Sequence, residues 1–292
     1  MNEKHLVSEP TAGWGGDWTK KKIEILVEYA KAYLIIMHKH PYWKLLYFDG
    51  FAGSGMIVKD DKIDLDVTIG AACRIVEIDE PRPFDYYYFV EKDKHNAELL
   101  RQNTIEVFPH KNITIKIEDC NVKLKDLANY LQTTKGKKTR VLAYLDPYGM
   151  QLEWASIIDL ANAGIDMWVL APTGMGVNRL LKKNGDISDI WIERLKKFLG
   201  LSEKEIRDYF YKEKIDYTLF GEQKHIGKEE NAIEKAGKLY KIRLETVFKF
   251  VSDPFILKGT KGNIMYHMFL ASNNLTAVKI ANDIISKYNK MD

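Results

Sequence analysis

Four acids stand at corresponding places in the chain, each closing an apolar run: Asp49 after Leu45–Phe48, Glu91 after Tyr86–Val90, Asp119 just past Ile113–Ile117, and Asp146 after Val141–Leu145. The first is followed by Gly50-Phe51-Ala52-Gly53-Ser54-Gly55. Gly53 and Gly55 permit backbone angles that other residues resist and let a ligand approach the main chain. The amides of such a turn can face an anion or a ribose edge. If the four runs are parallel strands of one sheet, their acids converge on the rim where open parallel sheets bind ligands. Glu91 is then placed to accept both hydroxyls of a ribose. Asp119 can accept from an adenine amino group with Asn121 assisting, although an Asp before a helix also serves as its cap. Asp49 can hold an ammonium or a bridging water. Asp146 stands where the reacting group of a second substrate enters, although Asp146-Pro147-Tyr148-Gly149 is also a good turn sequence.

Such a rim needs a sheet and helices to hold it. Residues 19–39 predict an amphipathic helix, with Ile23, Leu26, Val27, Ala30, Leu34 and Met37 on one face and Lys20, Lys22, Glu24, Glu28 and Lys31 elsewhere. Further helices are predicted over 68–78, 94–108, 123–131 and 152–163, alternating with strands at 45–48, 86–90, 113–117, 141–145 and 166–171. That alternation argues for a parallel sheet with right-handed crossovers and helices on both faces. Residues 56–66, polar and acidic, read as a loop inserted beside the site. From about 174 to 241 the pattern is mostly helical with mixed charge, and Ser202-Glu203-Lys204-Glu205 opens a helix with a capping box. Strands at 246–251 and 263–271, joined by the loop KGTKGN, predict an antiparallel hairpin at the sheet edge, and a helix over 276–288 follows. The expected organisation is a lead and helix over 1–40, a core with the ligand rim over 41–173, a helical insertion over 174–241, and the end of the core over 242–292.

Composition narrows the function without naming it. The 292 residues can bury a sizeable core. A net charge of +3 neither marks nor excludes a nucleic-acid binder, because local patches decide. Arg179, Lys258 and Lys261 are the candidate phosphate contacts. The basic stretch TTKGKKTR leads into the amino end of a strand and so belongs on the side away from the rim. Lys20–Lys22 can touch phosphate or form a solvated face. Trp14, Trp18 and Tyr148 can stack a base. Two cysteines, Cys73 and Cys120, exclude a disulfide framework or a Cys-rich zinc site within the chain, and the seven histidines show no ligand spacing with nearby acids. No metal is therefore expected. His267 reads as a satisfied sheet histidine. The opening residues show no signal-peptide pattern and no apolar run is long enough to span a bilayer, so the expected location is cytoplasmic.

The strand-end acids and the glycine turn resemble class I S-adenosylmethionine-dependent methyltransferases. Asp49-Gly50-Phe51-Ala52-Gly53-Ser54-Gly55 is similar to their first motif as found in amino-methylating DNA and RNA enzymes. Glu91 and Asp119 match their second- and third-strand acids, and Asp146-Pro147-Tyr148-Gly149 is similar to their fourth motif, Asp/Asn-Pro-Pro-Tyr. A closer resemblance is to the three-Cys-motif partner (TcmP) family. It rests on Tyr29-Ala30-Lys31-Ala32-Tyr33, Tyr47–Gly53, Phe89–Asp93, Asp119-Cys120-Asn121, Leu145–Gly149, Val177-Asn178-Arg179 and Met265–Ser272. The resemblance covers nearly the whole chain. It implies a Rossmann-like methyltransferase fold with a seven-stranded, mostly parallel sheet, S-adenosylmethionine as cofactor, and a separate protein carrying three cysteines as partner. It also implies donor contacts from Asp49, Phe51, Gly53, Gly55, Glu91, Asp119 and Asn121. In amino methyltransferases the fourth-motif acid and proline carbonyl accept from the target amine and the aromatic stacks on the base, which would fall to Asp146, Pro147 and Tyr148. Here that motif lacks the second proline, and the aromatic comes one place early.

Three readings follow. The first is a methyltransferase acting on an exocyclic amine of a DNA or RNA base. The second is a non-catalytic, methyltransferase-like adaptor for the three-Cys partner. The third, a dinucleotide-dependent oxidoreductase, is disfavoured by the missing full GxGxxG.

Overall fold

The structure, a computed structural model, describes residues 17–56, 70–218 and 221–290. The expected lead, Trp14 and nearly all of the 56–66 loop lie outside the described residues. In chain order the elements of the first half are α1 (Asp17–His38), β1 (Lys44–Asp49), α2 (Ala71–Val76), β2 (Tyr86–Glu91), α3 (Lys94–Thr104), β3 (Ile113–Ile117), α4 (Cys120–Gln132), β4 (Thr139–Leu145), α5 (Trp154–Ile158) and β5 (Ile165–Ala171). The second half comprises α6 (Asn178–Leu180), α7 (Asp189–Leu199), α8 (Glu203–Phe210), β6 (Tyr211–Thr218), β7 (Gly221–Lys228), α9 (Ala232–Glu245), β8 (Phe250–Val251), β9 (Phe255–Lys258), β10 (Ile264–Ser272) and α10 (Leu275–Asn289).

The main sheet runs β3-β2-β1-β4-β5-β10-β8, with β9 also pairing β10. The strands from β3 to β5 are mutually parallel and β10 is antiparallel to β5. The fold is α/β and Rossmann-like, as expected. Chain order reverses between β1 and β4, which makes their carboxyl ends the switch point where such sheets take ligands. The central strands are buried on both faces: β1, β4 and β5 have a single exposed residue, Lys44, among them. One face is covered by α1, α2 and α10, the other by α4, α5, α7 and α9, each layer closing its own core.

Two features depart from the sequence expectation. The sheet has eight strands, because the predicted 246–251 strand is reduced to β8 and a separate β9 follows Pro254. A proline cannot donate to the ladder and interrupts the pairing there. The edge hairpin is therefore β9–β10, and β10 itself lies inside the sheet, between β5 and the short strands. Its apolar sequence, buried from Tyr266 through Ser272, suits that interior place.

The second departure lies in the 174–241 stretch. It holds α6 to α9, but also an antiparallel hairpin, β6–β7, in register from Tyr211↔Lys228 to Thr218↔Gly221. The alternation of β6, Tyr-Lys-Glu-Lys-Ile-Asp-Tyr-Thr, is a strand period carried by charged residues. Its charges are partly answered across the hairpin by Lys224 to Glu213 at 3.2 Å and just beyond it by Lys212 to Glu229 at 2.7 Å. The capping box at Ser202 forms as expected. Gly200, which ends α7, has φ +65°, and a Cβ on it would lie 2.1 Å from Cδ1 of buried Trp154. Gly200→Ala is expected to destabilise the protein by about 2 kcal/mol. The check is a lower urea midpoint at unchanged slope; an unmoved midpoint would mean that the α7–α8 corner shifts freely.

Candidate donor and substrate site

The glycine turn is pinned from both sides. Gly50 N donates to the Tyr144 carbonyl on β4 (3.0 Å) and Ala52 N to the Val90 carbonyl on β2 (3.0 Å). Asp49 turns back under the turn: its carboxylate accepts from Phe51 N at 3.1 Å and from the Tyr47 hydroxyl at 3.4 Å. Asp49 is 1% exposed. Burial chiefly, with the nearby Asp146 and Glu91 charges adding, pushes its carboxyl up to about 7 against the hydrogen bonds from Phe51 and Tyr47. Glu91 closes the other side. One carboxylate oxygen accepts from Gly53 N and the other from Asp93 N, both at 2.8 Å. Gly53 (φ +61°) and Gly149 (φ +60°) each have nothing within 4 Å of the place a Cβ would take. Both turns therefore present bare backbone with room above it, one on the β1 side of the switch point and one on the β4 side.

Asp119 caps α4. It accepts from Asn121 N (2.9 Å) and from the Asn121 amide (3.0 Å), with Lys92 at 3.4 Å. Burial works to raise its carboxyl, but these donors together hold it below the ordinary range. Asn121, expected to assist at an adenine, has all four side-chain positions engaged inside the protein. Its amide nitrogen donates to Asp119 and to the Gln151 carbonyl (2.9 Å), and its oxygen accepts from Glu153 N (2.8 Å) and Ser156 Oγ (3.1 Å). It braces the segment after β4 against the cap of α4.

Asp146 follows β4 and takes a hydrogen bond from the Tyr144 hydroxyl at 3.2 Å. It also forms an ion pair with Lys22 of α1, whose side chain is 8% exposed against 23% for Asp146. Lys22 further sits over the Trp18 ring at 5.2 Å, and Trp18 stacks on Tyr266 of β10 at 5.8 Å. The solvated or phosphate-touching Lys20–Lys22 run is thus corrected at Lys22. Lys22, Leu26, Tyr29 and Tyr33 follow at helical spacing on one buried face, and that stripe was the available signal. Tyr47 and Tyr144 were also missed, although Tyr-x-Asp occurs at the end of both β1 and β4. With a period of two, each Tyr shares a face with the acid it serves. Pro147 is buried and the Tyr148 ring is exposed. Phe51 is half-buried against the core. Arg179, Lys258 and Lys261 lie on α6 and on the β9–β10 hairpin, with Lys258 and Lys261 exposed. His267 is buried and bonded through Nδ1 to Thr173 Oγ1 at 2.7 Å, a sheet histidine as expected.

Neither the protein-family models nor the curated proteins include a match to this sequence. Solved structures do resemble it. Protein LPL1258 from Legionella pneumophila is 12% identical over 94% of each chain, with a TM-score of 0.46. Spermidine synthase from Thermotoga maritima is 12% identical, over 90% of this chain and 62% of that one, with a TM-score of 0.43. Trm1 from Pyrococcus horikoshii, solved with S-adenosyl-L-methionine, is 11% identical, over 87% of this chain and 63% of that one, with a TM-score of 0.36. Likenesses this distant are of backbone course alone. Among the described residues no helix is long and apolar enough to cross a membrane.

Proposed function

We propose that the protein is an S-adenosylmethionine-dependent methyltransferase acting on an exocyclic amine of a nucleic-acid base, and that it works with a three-Cys-motif partner. The observation that carries the reading is the pair of turns at the switch point, each open at a left-handed glycine, with the Asp49 carboxyl near enough to feel the charges of Asp146 and Glu91. S-adenosylmethionine supplies a methyl group already activated on a sulfonium, so positioning and desolvation are the protein's main tasks. The residues present fit it. Asp49 offers a buried carboxyl to the ammonium, through the turn that it props. Glu91 has lone pairs left for the ribose hydroxyls after taking the two backbone N–H groups. Asp119, held ionised, faces an adenine amino group. Asp146 and the Pro147 carbonyl accept from the target amine and aim its lone pair. Tyr148, exposed beside them, supplies a stacking face, and Arg179, Lys258 and Lys261 supply phosphate contacts further out.

The test is calorimetric titration with S-adenosylhomocysteine, with Glu91→Ala as control. The expected result is binding that Glu91→Ala weakens at least about tenfold, since two charge-assisted contacts go at once. A folded wild-type protein that takes up no S-adenosylhomocysteine overturns the donor assignment. One observation favours the adaptor reading: Lys22 already occupies the acid that should receive the amine. Donor binding without turnover on DNA, RNA or the partner would decide for it, and robust methylation would remove it.

A further inference from the structure

The opposite edge of the sheet, at the amino ends of β4 and β5, carries a cavity of about 640 Å³. It is set off from the acid rim by the length of β4, roughly 20 Å at strand rise. Its walls include Tyr33 from α1, Trp43 before β1, Lys137 from the turn before β4, Arg140 from the start of β4, and Asp166 and Ser272 from β5 and β10. Arg140 sits over the Trp43 ring, with its guanidinium carbon 3.3 Å from the ring centroid. Its hydrogen bonds all leave from one nitrogen, Nη1, to the carbonyls of Lys137 (3.3 Å) and Thr139 (3.0 Å). No carboxylate pairs with it among the described residues. The Nε–Nη2 edge, the one that grips an oxyanion with two parallel bonds, has no protein acceptor among those residues.

One further feature suits an anion. Asp166 is the one carboxyl on the wall that would oppose an anion. Both its oxygens are engaged, by the Tyr29 hydroxyl (2.9 Å) and Ser272 Oγ (2.5 Å), and burial holds its carboxyl above the ordinary range. The cavity has the size of an organic ligand site and is larger than an inorganic ion needs.

We propose that this cavity is a second binding site, for a phosphate ester of nucleotide size, gripped by Arg140 with Lys137 beside it. The phosphate is either that of a free nucleotide or one in a nucleic-acid strand, and the site is independent of the donor reading of the acid rim.

The experiment uses the full chain saturated with S-adenosylhomocysteine, so that the acid rim is blocked if it binds nucleosides. Uridine 5′-monophosphate, uridine and a ten-nucleotide single-stranded RNA without terminal phosphates are titrated in turn. The expected result is that uridine 5′-monophosphate or the RNA binds and uridine does not. Arg140→Gln should weaken that binding about 10- to 100-fold, the worth of a charge-assisted pair. Lys137→Gln should weaken it severalfold while leaving the melting temperature of the free protein nearly unchanged, because that side chain is exposed. Binding of the monophosphate alone identifies a free nucleotide, and tighter, salt-sensitive binding of the RNA identifies a strand. Failure of both probes to outbind uridine, or binding that neither substitution weakens, overturns the proposal.

Discussion

Asp146→Ala is expected to lower the free energy of unfolding by about 3 kcal/mol, and Lys22→Met in the same chain to restore most of it. The argument is desolvation. The Lys22 side chain is 8% exposed and sits between Asp146 and the Trp18 ring. Without the carboxylate its ammonium is left in the core with only an aromatic face to answer it. Lys22→Met alone should cost less, because Asp146 is 23% exposed and retains the Tyr144 hydroxyl. Urea unfolding of the wild type, the two single variants and the double variant closes the cycle. A double variant as unstable as Asp146→Ala would show that the loss comes from elsewhere in the turn. The same four proteins separate structure from chemistry on the methyltransferase reading. Donor affinity should be nearly equal in all four, whereas methyl transfer should vanish wherever Asp146 is missing, including in the double variant whose stability is restored.

Asp49→Asn is expected to stabilise the free protein at pH 8 and to weaken donor binding at least about tenfold. The folded protein holds a proton on Asp49 up to about pH 7, whereas the unfolded chain releases it near 4. The unfolded state therefore binds fewer protons in between, and stability falls as pH rises from about 4 to about 7, then levels off. The gap corresponds to at most about 4 kcal/mol at pH 8, a penalty that the uncharged amide avoids. At pH 4 the two proteins should be equally stable on this account. An ammonium-bearing ligand needs the ionised carboxyl, so wild-type affinity should rise with pH through 7 and the variant's should not. A variant that binds donor like the wild type at both pH values would take Asp49 out of the site.

The parallel core was legible because each of its strands is a short apolar run with an acid or a turn at its end, and both signals are local. The helices of the two layers were legible from their apolar spacing. The β6–β7 hairpin was not, because its alternation is carried by Lys, Glu and Asp, and mixed charge between two helices reads as more helix. The rim acids were visible one by one, but what engages them was not. Lys22 and Asp146 are 124 residues apart, and no local pattern reports a pair made by packing α1 across the sheet. Asn121 shows the converse: a residue legible beside a functional acid is used by the fold, as a brace between two loops.

Helix α1 reaches both edges of the sheet. Lys22 meets Asp146 at the acid rim, and Tyr33, eleven residues or about 16 Å further along the same rod, lines the cavity at the other edge. Any ligand that displaces α1 at one edge also changes the geometry offered at the other. Linkage then requires that each ligand alter the other's affinity by one and the same factor. Titrating either ligand with and without the other measures that factor, and equality of the two ratios is the check that the measurement is at equilibrium. A factor different from one would show that occupancy at one end of the strands is felt at the other, and this helix, which holds no part of the glycine turn, is an element with a residue at each.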